Sequence, residues 1–273
     1  MGIVFACIAP HAAETIPQLA GDKLEAFNKT REGMKKIAKL VRKLKVDTLV
    51  VATPHNVRLW KRIGVVTTEF SEGELKTESG SIRARFSCNR QLAREVLRLS
   101  EELKLPVIGV DYGTAEGAFS CMPMDWGSLI PLWFLGLQSK KPRAVLVTPS
   151  REIPMDNLVK FGSLIAEAAD NLEERTGFVA SADHAHTHAL DGPYGFSPTS
   201  VEFDQLVRKA VEENNLRELL NLEPELVEAA KPDSLWQIAI LVGILDRVPL
   251  RGRLLSYQAP TYFGMLCAAY TPR

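Results

Sequence analysis

An α/β fold built on a central, mostly parallel sheet flanked by helices is what this sequence predicts, with the active site at the carboxyl ends of the strands. Three observations carry the prediction. Short apolar runs alternate along the chain with longer segments whose apolar residues recur at helical spacing, the pattern of strand–helix units. The runs ending at residues 8, 52 and 180 are almost continuously apolar, as strands buried on both faces are. All five histidines, His11, His55, His184, His186 and His188, follow such runs, and open α/β sheets bind ligands beyond the carboxyl ends of their strands.

Residues 3–8 form the first expected strand, ended by Ala9-Pro10-His11. Residues 22–44 turn helical: Leu24, Phe27, Met34, Ile37, Leu40 and Leu44 mark one face, with basic residues between them. Residues 48–52 form a second strand, ended by Thr53-Pro54-His55-Asn56. The order of apolar run, proline and histidine thus occurs twice. Strands are expected over 62–70 and 81–86, joined by a polar, glycine-containing link over 71–80. A helix over 90–103 and a strand over 106–110 follow. Residues 111–127, rich in Gly, Pro, Met and Ser, are expected to form a loop over a site. Next come an apolar helix over 128–137, a strand over 143–147 and an amphipathic helix over 155–172. That helix turns Leu158, Phe161, Leu164, Ile165 and Ala168 inward. The strand over 177–180 leads into Ser181-Ala182-Asp183-His184-Ala185-His186-Thr187-His188. Beyond the turn-rich 190–196, Ser197-Pro198 has the form of an N-cap and first helical position. Helices run to about residue 230. Another opens at Asp233, with Leu235, Ile238, Leu241, Val242 and Leu245 as its buried stripe, and strands over 253–258 and 263–269 close the chain. No linker, repeat or low-complexity segment divides residues 1–273, so one domain is expected.

The composition narrows the classes of function. With 273 residues and 46% hydrophobic content there is ample material for a core. Lys+Arg and Asp+Glu both number 33, which argues against a nucleic-acid surface, whose footprint is a basic excess. No apolar stretch reaches the roughly 18 residues that a membrane span needs. The apolar start has no charged lead-in, so no signal peptide is expected. Cys7, Cys88, Cys121 and Cys267 form no CxxC pair. Cys7 and Cys267 lie in apolar runs and read as core residues. A cytoplasmic location follows as the expectation for unpaired cysteines.

The histidines admit several chemistries. Pro10-His11 and Pro54-His55 place two imidazoles at two strand ends, on loops stiffened by proline. Two histidines and a carboxylate on one side of a metal suit non-haem Fe(II), leaving positions open for substrate and oxygen. Pro-His turns that merely end strands are the plainer alternative. Asp233 could be the carboxylate, and it could equally be an N-cap, worth about 1 kcal/mol to its helix. If the strand at 177–180 continued, His184, His186 and His188 would share one face and could form a hydrolytic zinc site. Alternatively, one of them serves as general acid/base beside a metal held elsewhere.

Taken together, Ala9-Pro10-His11, Thr53-Pro54-His55-Asn56, the Ser181 to His186 stretch, Gly192-Pro193-Tyr194-Gly195-Phe196 and the closing Leu254 to Gly264 segment resemble the LigB-like superfamily over nearly the full length. That superfamily holds the class III extradiol ring-cleavage dioxygenases and the Memo-like proteins. The resemblance implies His11 and His55 as metal ligands and His186 as the catalytic acid/base. It places Asp233 where the dioxygenases supply a glutamate and the Memo-like members a cysteine, hence as third ligand. It implies Fe(II), with zinc as the other metal to consider, and a small aromatic diol and O2 as substrates in aromatic compound catabolism. Trp126, His184, Tyr194 and Tyr257 are the residues expected to contact the substrate. Neither a homo-oligomer nor a small partner subunit is decided by the residues. One departure stands out. Where many of the dioxygenases carry a histidine in an Asp-His-Gly stretch, this chain reads Asp125-Trp126-Gly127. An indole can stack but cannot accept a proton at neutral pH. That departure favours the alternative of a Memo-like, metal-binding protein with little ring-cleaving activity.

Overall fold

A computed structural model describes residues 2–136 and 141–272 of the chain. Eleven strands and eight α-helices are present among them. The strands are β1 (Ile3–Ala9), β2 (Thr48–Ala52), β3 (Ile63–Val66), β4 (Phe70–Thr77), β5 (Gly80–Ser87), β6 (Val107–Val110), β7 (Cys121–Pro123), β8 (Arg143–Pro149), β9 (Thr176–Ser181), β10 (Leu250–Gln258) and β11 (Met265–Pro272). The helices are α1 (Pro17–Ala20), α2 (Asn28–Lys43), α3 (Arg90–Glu102), α4 (Trp126–Leu135), α5 (Met155–Asn171), α6 (Thr199–Glu212), α7 (Pro224–Ala230) and α8 (Leu235–Arg247).

Eight strands make one sheet in the order β10-β11-β1-β9-β2-β8-β3-β6. Its centre is parallel: β9 lies between β1 and β2, and β8 flanks β2 in the same direction. The expected mostly parallel α/β architecture is what forms. The central strands are apolar throughout because both faces are covered. Alternate residues of β1 divide between the two faces: Ile3, Ala6 and Ile8 join one core with α3, α5, α6 and α8, while Phe5, Cys7 and Ala9 join the other with α2 and α4. α5 and α8 cross at Gly162 and Gly243. A Cβ on either would fall under 2 Å from a backbone oxygen of the facing helix, so only glycine allows α5 and α8 to pack this closely.

Several expected elements differ in extent. The link expected over 71–80 is mostly strand, because β4 and β5 form a hairpin in a separate small sheet with β7. Only alternate residues of β4 are covered, and its polar face hides the apolar signal that marks the central strands. The helix expected from residue 22 starts at Asn28, after a 3-10 turn over Gly21–Lys23. The loop expected over 111–127 contains β7 and the first two residues of α4. Leu137, the expected end of that apolar helix, lies outside the described residues.

The register sets the site. Ala9 pairs with Ser181 across β1 and β9, and Ala52 with Ala180 across β2 and β9. The three strands therefore end level, and the segments that leave them carry His11, His55 and Asp183 to one place.

A candidate metal centre at the ends of three strands

His11 Nε2 and His55 Nε2 are 3.1 Å apart. Asp233 Oδ2 lies 3.4 Å from the first and 3.2 Å from the second. Among the described residues these three make the only group of His, Cys, Asp or Glu with one potential ligand atom each close together. The triangle tests directly whether a metal fits. Donors about 2.1 Å from one ion are about 3.0 Å apart at right angles and about 3.4 Å apart at tetrahedral angles. The observed sides span that interval. Two imidazole nitrogens and a carboxylate oxygen suit Fe(II) and zinc alike.

Each candidate ligand sits beside a named partner. His11 Nδ1 is 3.0 Å from Ser181 Oγ, and that hydroxyl donates its one proton to the Gly127 carbonyl. Ser181 must therefore accept from His11, which puts the imidazole proton on Nδ1 and leaves the lone pair on Nε2, toward the other two ligands. The Gly127 carbonyl is available for a simple reason. Its helical partner four residues on is Pro131, inside α4, and proline has no N–H. His55 sits between Thr53 and Asn56, both of which donate to the carboxylate of Asp125. Asp125 also caps α4 through the Ser128 amide at 3.1 Å and so ties the β2 loop to that helix.

Asp233 does not cap α8. The N-cap is Ser234, without a side-chain bond, and Asp233 Oδ1 instead accepts the Asp183 amide at 3.0 Å. Its other oxygen is left facing the histidines, so the N-cap alternative is set aside.

The electrostatics suit a cation. Burial disfavours charge on His11, but Asp183 and Asp233 beside it outweigh burial and lift its imidazole to about 9. Burial also acts to raise Asp233, yet the pull of His11 and His55 keeps it well below the usual carboxylate range. Asp183 is pushed up to about 6 by burial, with His11 pulling the other way. Asp183 Oδ2 stands 3.3 Å from His11 Nε2. Sequence reasoning passed over Asp183, although it stands two residues beyond the strand in the same Ser-x-Asp-x-x-His stretch. A proton and a metal ion thus compete for His11 Nε2 in a pocket of two carboxylates.

The histidine run does not form a shared face. β9 ends at Ser181, and the chain then leaves the sheet. The amides of His184 and His188 go to the carbonyls of Gly264 and Tyr262, and that of His186 goes to Ala230, so the three rings part. His184 is fully buried, burial pushes its imidazole below the ordinary value, and neither ring nitrogen has a partner among the described residues. His188 Nε2 is 2.8 Å from Asp204 Oδ2. The three-histidine zinc site is therefore not formed. His186 alone of the three faces the cavity beside His55 and Asp233. Its Nδ1 donates to the His184 carbonyl at 2.7 Å, which makes Nε2 the acceptor of the neutral ring. Phe263 stacks on the ring at 5.5 Å and 20°, with Tyr262 and Tyr194 around it.

The cavity measures about 330 Å³ and is lined by His55, His186, Tyr194 and Asp233, with Arg151, Lys231, Glu228 and Trp236 among the others. Of the residues expected to contact substrate, Tyr194 lines it. Trp126 is 47% exposed and stacks on the outer face of the His55 ring, 4.3 Å away at 27°, rather than packing into the core. His184 and Tyr257 do not line the cavity; the Tyr257 hydroxyl donates to Asp204 at 2.7 Å. A larger groove of about 550 Å³, between α2 and the β10–β11 edge, shares no residue with the site.

An α/β sheet with a clustered His–His–Asp set beyond its parallel strands is the class that fold and site define. The chain belongs to the LigB family: residues 5–266 match the family described as the catalytic LigB subunit of aromatic ring-opening dioxygenase. It is 22% identical over 252 residues to Protein CA_C1420 of Clostridium acetobutylicum, a match that covers 92% of this chain and 54% of that protein. The chain thus spans about half the length of that relative. The crystal structure of the uncharacterized protein JW3007 from Escherichia coli K12 shares the fold, with a TM-score of 0.62 at 15% identity over 97% of this chain and 99% of that one. Among the described residues no helix is long and apolar enough to cross a membrane, and all four cysteines are free.

Proposed function

We propose that this chain is an extradiol dioxygenase that opens the ring of a catechol-type diol with O2, using Fe(II) held by His11, His55 and Asp233. The observation that carries the proposal is the triangle of three ligand atoms, at metal-ligand spacing, beside a cavity that His186 lines, in a chain of a ring-opening family. Iron bound there would supply a Lewis acid for the diol oxygens and a redox partner for O2.

The chain's own residues supply the rest. His186 Nε2, the ring nitrogen that the His184 carbonyl leaves unengaged, takes the phenolic proton and can return it as the product forms. Phe263, Tyr262 and Tyr194 keep that imidazole in an aromatic surround and limit its motion. Tyr194 is the cavity-lining candidate for contact with the substrate ring, and Trp126 reaches the site through the face of His55. Holding diol and oxygen side by side is the main contribution of such a pocket to rate.

The test is oxygen uptake and formation of a yellow ring-opened product with a panel of catechols, after anaerobic loading with Fe(II). Absence of turnover with every diol, despite bound iron, overturns the proposal. Trp126 favours a second function, metal binding with little ring cleavage, because an indole occupies a position where a histidine would relay protons. His186→Ala separates the two. It should lower ring opening by about 10²–10⁴-fold if the residue is the acid/base, and leave the activity of a metal-binding protein intact.

A further inference from the structure

Asp204 is fully buried on α6, yet it faces the loop that carries His186 and not the solvent. Its two oxygens accept three hydrogen bonds. Oδ1 takes the Ala185 amide at 2.9 Å. Oδ2 takes His188 Nε2 at 2.8 Å and the Tyr257 hydroxyl at 2.7 Å. Two of these partners lie on either side of His186, one residue before it and two after. The opposite wall of the loop is also set by the same carboxylate. Gly264 exchanges backbone bonds with His184 and Ala185, and a Cβ there would fall 1.8 Å from Asp204 Oδ2. Residue 264 must therefore be glycine for the carboxylate to sit where it does. The segment 262–264 that this contact seats also supplies Tyr262 and Phe263 to the His186 ring. Tyr257 remains a donor at all ordinary pH, since burial and the neighbouring Asp204 push its phenol well above the usual value.

We infer that Asp204 is a positioning residue for His186: one carboxylate fixes the gap between segments 185–188 and 262–264, and with it the place of the imidazole at the cavity. This rests on reading His186 as the acid/base, but its geometric half stands without that. A buried carboxylate with three donors is costly to assemble unless all three are satisfied. Nothing about metal binding needs it, because no oxygen of Asp204 reaches His11, His55 or Asp233.

The experiment compares Asp204→Asn, Asp204→Ala and Tyr257→Phe with the parent protein. In each, the ¹⁵N and ¹H signals of the His186 ring, the amount of Fe(II) bound, the melting temperature and the kinetics with catechol are measured. In the parent, Nδ1–H bonded to the His184 carbonyl gives a slowly exchanging proton. Asp204→Asn and Asp204→Ala should shift that signal and speed its exchange, and lower kcat about ten- to hundredfold, the scale of a misplaced catalytic group. KM and bound iron should stay as in the parent, and Tyr257→Phe should give a smaller effect of the same kind. His186 signals unmoved in folded Asp204→Asn protein overturn the inference. So does loss of activity that only tracks loss of iron or of the fold. A parent protein without any turnover counts against ring opening, and the ring signals still decide the role of Asp204.

Discussion

Replacing Ser181 with alanine removes one oxygen atom and two bonds from the least solvated part of the site. Ser181 is fully buried, so no water replaces what is lost. The His11 Nδ1 proton loses its acceptor, and the Gly127 carbonyl, which Pro131 cannot serve as a donor, loses the Ser181 hydroxyl. Each orphaned buried group costs about 1–3 kcal/mol, and the fold bears most of that. The ion bears the rest. With no acceptor at Nδ1 the imidazole is free to turn or to place its proton on Nε2, the atom proposed to bind the metal. Loss of such a supporting contact typically weakens metal binding by about 10–100-fold, equivalent to about 1.4–2.8 kcal/mol. The assay is competition for Fe(II) or zinc against a chelator of known affinity, on protein shown by its melting curve to be folded. Affinity unchanged within twofold would refute the reasoning, since it would mean that the tautomer of His11 is set by something other than Ser181. Ser181→Thr, which keeps the hydroxyl, should retain most of the affinity.

Metal affinity should climb with pH. His11 holds its proton up to about 9 because of Asp183 and Asp233, and an ion must displace that proton. Between about pH 6.5 and 8.5 the apparent affinity should therefore rise about tenfold per unit and level off above 9; a flat titration over that range contradicts the assignment. The same raised value stabilises the metal-free fold fully below 6.5, and the contribution fades as pH passes 9. Asp233→Ala should cut metal binding by more than about a hundredfold, beyond the loss of a supporting contact. A mere N-cap would instead cost about 1 kcal/mol of stability and no metal, which thermal melts and metal analysis distinguish. Trp126→Ala strips the outer face of His55. A stacked pair of this kind is worth about 0.5–1.5 kcal/mol, so binding should weaken by about two- to tenfold, as read by calorimetric titration; strengthened binding would show that the indole hinders the ion.

Much of this fold and site is legible in the sequence. β1, β2 and β9 announce themselves as almost continuous apolar runs because they lie in the middle of the sheet, where both faces are covered. Histidines after two prolines mark where those strands stop. What the pattern conceals is equally physical. β4 sits in a small sheet with one open side, and its polar residues look like a loop. Asp204 lies on an amphipathic helix, where one acidic residue among several gives no sign that it faces inward. The run of alternating histidines suggested a common face only if the strand continued, and tertiary hydrogen bonds to Ala230, Tyr262 and Gly264 decide otherwise. Ser181 and Asp183 stand beside the histidines without a signal of their own, since a hydroxyl's partner across 54 residues leaves no periodicity.

Pro131 carries a consequence for anyone seeking to make the protein more robust to heat. A proline inside a helix costs that helix about 3 kcal/mol, so Pro131→Ala is the kind of change that stability engineering favours. Here it would hand Gly127 a new amide donor and set that donor in rivalry with Ser181. A variant that survives higher temperatures while releasing its ion more readily is the expected bargain, with rigidity of the scaffold and grip on the cation opposed at a single position.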